Sequence, residues 1–279
     1  MDTTHEQIRE QQRKTWNKFS AGWKKWDEFN MSFLKPMGDV IISTLKLKDN
    51  DAVLDIAAGT GEPGLTIASI VKNGKVVGTD VSEDMLAIAN ENAVKKGLKN
   101  YTTQVCDVCE LPFADNSFDA VSCRLGFMFF PDMLMAAKEM VRVLKPGGRL
   151  GTSVWAIPEK NGWITATMDT MNKNMKMPVP LPGSPGIFRC ARPGFIADLL
   201  KQAGFSNVKE EDIEGKINFG SNDFYWANMT EVVAGVVAAM AEADDQLKEK
   251  IRKEVFAGID NNYPGAIFPY GTIIISGNK

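Results

Sequence analysis

Histidine is almost missing from this 279-residue chain, whose sole copy is His5. Cysteine is scarce too, with four residues at Cys106, Cys109, Cys123 and Cys190. A zinc site takes about four ligands, and beyond the single Cys106-x-x-Cys109 pair there is neither a second such pair nor a histidine cluster, so no metal is expected. Four cysteines in a chain of this size do not make a disulfide scaffold, and reduced thiols fit a cytoplasmic protein. Excess positive charge is lacking as well: the net charge is -3, so no long-range field gathers phosphates and nucleic acid is not an expected partner. Long apolar runs are missing. Val232 to Met240 falls well short of the ~20 residues that span a bilayer, and the opening Met1-Asp2-Thr3-Thr4-His5 has no apolar core of a secretory signal. A cytoplasmic location is the expectation. With 44% hydrophobic and 24% charged residues, the composition is that of an ordinary globular chain.

What is present is a change of period along the chain. Trp16, Phe19, Trp23 and Trp26 recur at steps of three and four, an aromatic stripe on an N-terminal helix, and Phe33, Met37, Val40, Ile41 and Leu45 mark a second helix. These two form a helical cap over residues 1–47. From residue 51 short apolar strands alternate with helices, the pattern of a parallel sheet covered on both faces. Strands are expected at Ala52–Ile56, Lys75–Thr79, Tyr101–Val105, Phe118–Cys123 and Leu150–Trp155. Between them Pro63 suits a first helical turn, Ser82 suits an N-cap with Glu83 and Asp84 behind it, Pro131 opens a helix and Pro146 stops it. A Met- and Pro-rich stretch from Pro158 to Arg192 reads as an inserted lid. In it Ile164, Met168, Met171 and Met175 fall at helical spacing, while Pro178, Pro180, Pro182 and Pro185 predict an extended, stiff run. Arg192-Pro193 opens a further helix ending at Gly204, followed by a strand near Val208–Ile213, a helical region from Asn222 to about Ile259, and a β-branched last strand at Thr272–Ser276. The expected fold is a Rossmann-like, doubly wound, mostly parallel seven-stranded sheet over residues 48–279, with helical insertions at about 157–191 and 221–262.

The chemistry-bearing residues sit where such a sheet binds ligands, at the carboxyl ends of its strands. Asp55-Ile56-Ala57-Ala58-Gly59-Thr60-Gly61 leaves the first strand and enters a helix, so small residues let a ligand lie against the backbone where a helix N-terminus favours an anionic group. Asp80 ends the second strand about 20 residues on, where a carboxylate accepts ribose hydroxyls. Asp107 follows the third strand. Each aspartate could serve only as a turn residue, but three at successive strand ends point to a nucleoside ligand.

In order, the Asp55–Gly61 glycine motif, Asp80-Val81-Ser82-Glu83-Asp84-Met85-Leu86, the Asp107 turn with Leu111-Pro112-Phe113, Phe118-Asp119-Ala120-Val121 and Val143-Leu144-Lys145-Pro146-Gly147-Gly148 resemble the class I S-adenosylmethionine-dependent methyltransferases of the ubiquinone and menaquinone biosynthesis type. The likeness covers about residues 50–155. A narrower bacterial branch is matched by the Trp16 and Trp23 segment, by Arg124-Leu125-Gly126-Phe127-Met128-Phe129-Phe130-Pro131-Asp132 and by Val154-Trp155. The resemblance implies S-adenosylmethionine as cofactor, with its carboxylate at the glycine loop, its ammonium met by Asp55, and its adenine amine accepted by Asp107. It places Ala57, Ala58, Gly59, Gly61, Val81, Met85, Cys106, Val108 and Arg124 around the same molecule, Arg124 mostly through its backbone. Ala57 departs from the family, which usually has its first glycine there.

Gly59-Thr60-Gly61-Glu62-Pro63-Gly64 also spells G-x-G-x-x-G, which with Asp80 imitates a dinucleotide fingerprint. An NAD-dependent oxidoreductase is therefore the rival reading. Against it stand Asp107, the Lys145–Gly148 turn and the lack of any Tyr with Lys four residues on. A cofactor-binding protein without catalysis is a third reading. Methyl transfer is an in-line displacement that needs alignment and exclusion of water more than acid–base groups, and no catalytic residue is assigned. The acceptor is expected to be a small, apolar or aromatic molecule, methylated on O, C or N, held by Trp16, Trp23, Phe127, Phe129 and Trp155. Those aromatics serve equally well as packing between cap and sheet. Val232 to Met240 either packs inside or pairs with a second subunit as a homodimer.

Overall fold

The computed structural model describes residues 5–176 and 183–279. Its frame is one seven-stranded sheet in the order β3-β2-β1-β4-β5-β7-β6. The strands are β1 (Ala52–Ile56), β2 (Lys75–Asp80), β3 (Tyr101–Val105), β4 (Phe118–Arg124), β5 (Leu144–Trp155), β6 (Ser206–Asn218) and β7 (Ile267–Asn278). The first five pair in parallel, and β7 enters antiparallel between β5 and β6. β1 is buried along its whole length, which is why it reads as an unbroken apolar run. The strand order reverses between β1 and β4, and the crevice at that switch point is where such sheets receive ligands.

Helices α1 (His5–Lys25) and α2 (Asp27–Leu45) precede the sheet. α2 lies on β4, β5 and β7 and buries Phe33, Met37, Ile41 and Leu45, so it is part of the layer that covers the sheet. α3 (Gly64–Ile70) and α4 (Glu83–Lys95) follow β1 and β2. As expected, Ser82 caps α4, its hydroxyl accepting from the Met85 N–H at 3.1 Å. α5 (Met133–Val143) and α7 (Phe195–Ala203) pack together. α7 ends at Gly204 in the left-handed region, φ 108°, a conformation that glycine adopts without a Cβ penalty.

Several boundaries differ from the sequence expectation. α5 starts at Met133 and not at Pro131, because the Asp132 carboxylate accepts from the Met135 N–H and makes Asp132 the N-cap. Pro146 does not stop it: α5 ends at Val143, and β5 begins at Leu144 with a register shift against β4 that takes up the Lys145–Gly148 turn. β6 is far longer than Val208–Ile213. It is an exposed edge strand rich in charge, so it carries no apolar alternation to read, and its length comes from pairing along β7. The region after it is three helices, α8 (Asn222–Val232), α9 (Ala234–Glu242) and α10 (Asp245–Asn262), with α8 and α9 bent by 90°. α9 buries Val236, Ala239 and Met240 within the chain. The stretch after β5 forms α6 (Gly162–Asn174), with Trp163, Ile164 and Met171 buried. Pro178, Pro180 and Pro182 lie outside the described residues. No single described helix is long and apolar enough to cross a membrane.

Candidate cofactor and acceptor site

A cavity of about 450 Å³ opens at the carboxyl ends of β1, β2, β3 and β4 and is roofed by α1, α2, α6 and the α8–α9 junction. At one end the glycine loop leaves β1. Ala57, Gly59 and Gly61 all have positive φ, at 54°, 53° and 113°. A Cβ on Gly59 would have nothing within 4 Å, so the loop presents bare backbone to the cavity. Gly61 is different: a Cβ there would come within 2.7 Å of Leu65, so this glycine serves the approach of α3 to the loop and does not line the cavity. Ala57 holds the strained conformation that the family's glycine would take freely, at a cost of roughly 1 kcal/mol. Its Cβ would be 2.9 Å from a Cβ on Gly126, which would also meet Cys123 Sγ at 2.7 Å and the Phe130 ring at 3.0 Å, so the methyl on the loop after β1 is one of three groups that require a small residue after β4.

Asp80 closes the loop. Its carboxylate accepts from the Gly59 N–H at 3.0 Å and from the Ser82 N–H at 2.9 Å, one on each oxygen. Lone pairs on both oxygens remain for a ligand's hydroxyl pair. Burial pushes its carboxyl up, and the Ser82, Gly59 and Val81 N–H groups oppose that shift. Asp107 also lines the cavity, but it is engaged: one oxygen accepts from the Cys109 N–H at 2.9 Å and the other from Arg9 Nη1 at 3.3 Å. Arg9 belongs to α1, whose sequence pattern shows an aromatic stripe and nothing that marks this arginine. Further along, Asn17 on α1 accepts from the Ser82 hydroxyl at 2.6 Å and Lys24 pairs with Glu91. α1 is thus tied to α4 and to the turn after β3 across the cofactor end.

Of the residues expected to hold the cofactor, Ala57, Ala58, Gly59, Asp80, Val81, Met85, Cys106, Asp107, Val108 and Arg124 line this one cavity. Asp55 does not. It is wholly buried, accepting from Ser122 Oγ at 2.6 Å and from the Gly64 N–H at 3.0 Å, and it joins β1 to β4 and to the first turn of α3. Burial drives its carboxyl up to about 7, opposed by the Ser122 hydroxyl and the Arg124 charge. Arg124 was expected to act through its backbone, yet its side chain reaches into the cavity wall, with Nη1 on the Leu34 carbonyl and Nη2 on Met31 Sδ, both at 3.3 Å. Burial pushes the Cys106 and Cys109 thiols up to about 12, so neither is a thiolate near neutrality. No group of three His, Cys, Asp or Glu able to hold a metal occurs among the described residues.

The other end is aromatic. Trp16, Trp23, Phe129 and Trp155 line it, while Phe127 is fully buried against Phe130, ring centroids 5.2 Å apart, and does not. Trp16 meets Phe129 edge to face at 5.1 Å, and Trp155 meets Trp163 at 5.1 Å. Trp163, Asn30, Leu34, Asn228 and the Val232–Gly235 junction complete the wall. None belongs to a recognisable motif. They come from elements far apart in sequence, and only the fold assembles them.

The chain is similar to several known proteins. Residues 53–148 match the family described as Methyltransferase domain. A demethylmenaquinone methyltransferase of Listeria monocytogenes is 30% identical over 185 residues, 59% of this chain and 74% of the relative. An uncharacterized protein of Mycobacterium tuberculosis is 32% identical over 147 residues, 53% of each chain, so the chain spans about half the length of that relative. Among solved structures, the YcgJ protein of Bacillus subtilis superimposes with a TM-score of 0.60 at 20% identity, covering 88% of this chain and 98% of the other.

Proposed function

The chain belongs to the class I S-adenosylmethionine-dependent methyltransferase family, and from that premise we propose that it is an enzyme moving a methyl group to a small apolar or aromatic acceptor. The observation that carries the reading is one cavity with a polar end, lined by Gly59, Asp80 and Asp107, and an aromatic end. The residues present suit the cofactor: Gly59 leaves open backbone, Asp80 keeps lone pairs on both oxygens, and Val81, Met85 and Val108 offer apolar walls between Asp80 and Asp107. When bound, the cofactor supplies a methyl carbon already activated by a sulfonium. The chain's own residues do the remaining work. Asp80 anchors the nucleoside by accepting hydroxyl hydrogens, and Asp107 offers an oxygen that it now shares with Arg9. Trp16, Phe129, Trp155 and Trp163 fix the acceptor plane and keep water out, which aligns the displacement and avoids hydrolysis. No side chain is assigned to take a proton from the acceptor.

A dinucleotide oxidoreductase is disfavoured by topology. The dinucleotide fold runs 3-2-1-4-5-6 in parallel, whereas here an antiparallel β7 separates β5 from β6. The proposal extends to a cytoplasmic enzyme because all four cysteines are free thiols. A methyl-transfer screen with labelled cofactor over quinols, phenols, fatty acids and small amines tests it. Label entering an aromatic or apolar acceptor is the expected result. S-adenosylhomocysteine binding with no label transferred across the panel would favour a non-catalytic protein, and stabilisation by NAD alone would remove the reading altogether.

A further inference from the structure

At the aromatic end the wall carries hydrogen-bond donors that no described residue uses. Asn30, on the first turn of α2, is 1% exposed, and its Nδ2 has no hydrogen-bond partner. Its Oδ1 is occupied, accepting from Asn228 Nδ2 at 3.3 Å. The buried Nε1 of Trp23, on α1, is also without a partner. Arg124 brings a guanidinium whose fork of N–H donors makes, among the described residues, two long contacts, to Leu34 and Met31. No carboxylate stands within ion-pair distance of it among the described residues, although Asp55, Glu62 and Asp27 act on it through their charge. Those acids are already engaged: Asp55 by Ser122 and Gly64, Glu62 by Thr66 and Lys96, and Asp27 by Thr60 and Asn92.

Buried donors are rarely left orphaned in a native fold, because each carries its full desolvation penalty. Two such donors, with the Arg124 guanidinium on a third residue lining the same cavity, share a single complementary chemistry, an oxygen acceptor with negative charge, and a guanidinium matches a carboxylate by geometry as well as by sign. We propose that Arg124, Asn30 and Trp23 form a binding pocket for a carboxylate or similar oxyanion. The proposal deepens the methyl-transfer reading and rests on it for what carries the anion: the acceptor's own oxygen or the amino-acid end of the cofactor. In either case Arg124 is a binding residue acting through its side chain.

Calorimetry on the full chain separates these sources. One pair of ligands is S-adenosylhomocysteine and methylthioadenosine, which shares the nucleoside thioether but lacks the amino-acid carboxylate. The second is naphthoate and naphthalenemethanol, titrated into the protein with and without S-adenosylhomocysteine. Arg124→Met and Asn30→Asp should each weaken the carboxylate-bearing member of one pair at least tenfold and leave its neutral counterpart unchanged. Loss on S-adenosylhomocysteine identifies the cofactor as the source, and loss on naphthoate identifies the acceptor. Asn30→Asp keeps the size of the side chain while turning a donor into a negative charge, so it remains informative if Arg124→Met does not fold. Equal effects on both members of each pair, or none, overturn the pocket. Failure of wild-type protein to bind S-adenosylhomocysteine would instead strike the methyl-transfer reading, and naphthoate titrated without cofactor would still test the donors.

Discussion

The two ends of the cavity are built on different terms. At the cofactor end the walls are strand ends and the turns leaving them, and the polar groups already have partners inside the fold: Asp80 with Gly59 and Ser82, Asp107 with Cys109 and Arg9. At the acceptor end most of the wall is side chains from α1, α2, α6 and the α8–α9 junction, laid against Phe129 and Trp155, and the donors of Trp23 and Asn30 have no partner among the described residues. The first end is preorganised by the sheet and suits a ligand common to many relatives. The second depends on how helices lie across that sheet, and this is where one enzyme can differ from another.

The contrast can be broken from the rigid side first. Asp55 is held beneath the loop with its carboxyl raised from 3.8 to about 7, so the folded state holds its proton over a range where the unfolded chain has lost it. Stability from this group is therefore fully present below about pH 4 and is lost as pH rises toward 7, a change on the order of a few kcal/mol. Asp55→Asn should flatten that slope, and urea unfolding of both proteins at intervals across this window measures it; parallel slopes would show that the loop does not rest on a buried acid. Asp80→Ala comes next. Losing the acceptor for two hydroxyls should weaken S-adenosylhomocysteine about a hundredfold, near 3 kcal/mol for hydrogen bonds to a charged group, and unchanged affinity in calorimetry would contradict the site.

Gly126→Ala probes the coupling between the two turns. The new methyl would meet Cys123 Sγ at 2.7 Å, the Ala57 Cβ at 2.9 Å and the Phe130 ring at 3.0 Å, an overpacking that costs roughly 2 kcal/mol. The double variant with Ala57→Gly should recover part of it, as thermal unfolding would show. The smallest effect is expected from Trp155→Phe, which keeps an aromatic ring but shortens the acceptor wall. Its acceptor KM should rise about fivefold, on the order of 1 kcal/mol of apolar contact, with S-adenosylhomocysteine affinity unmoved. A fall in cofactor affinity of the same size would erase the distinction between the ends.

The same division explains what could be read before the structure. β1, β2 and β4 were legible because each is encoded locally as a largely buried apolar run, and small or acidic residues mark the ends of β1 and β2; β3 is mostly exposed and is marked chiefly by the Asp107 turn after it. Asp80, Gly59 and Asp107 follow from that pattern. Asp55 and Gly61 share the motif but are spent on internal joints, to Ser122 and Gly64 and to Leu65, and spacing alone does not separate a residue facing the ligand from one facing the core. Phe127 lies next to wall residues in sequence, but the short helical turn over Phe127–Phe129 sends it inward. Arg9, Asn30, Trp163 and Asn228 were not legible at all. Their presence in the wall depends on the crossing of helices that carry no motif, and an unpartnered amide is visible only when its surroundings are known.

The insertion of β7 between β5 and β6 has a consequence for how the molecule comes into being. Among the described residues β6 hydrogen-bonds to no strand except β7, and β5 has β7 as its outer neighbour. While β7 is still inside the ribosome, β5 keeps an open edge and β6 has nothing to pair with, so the nascent sheet holds a ready template for another chain. A loss of β7 would therefore unravel two strand pairings at once and turn a synthesis error into an aggregate.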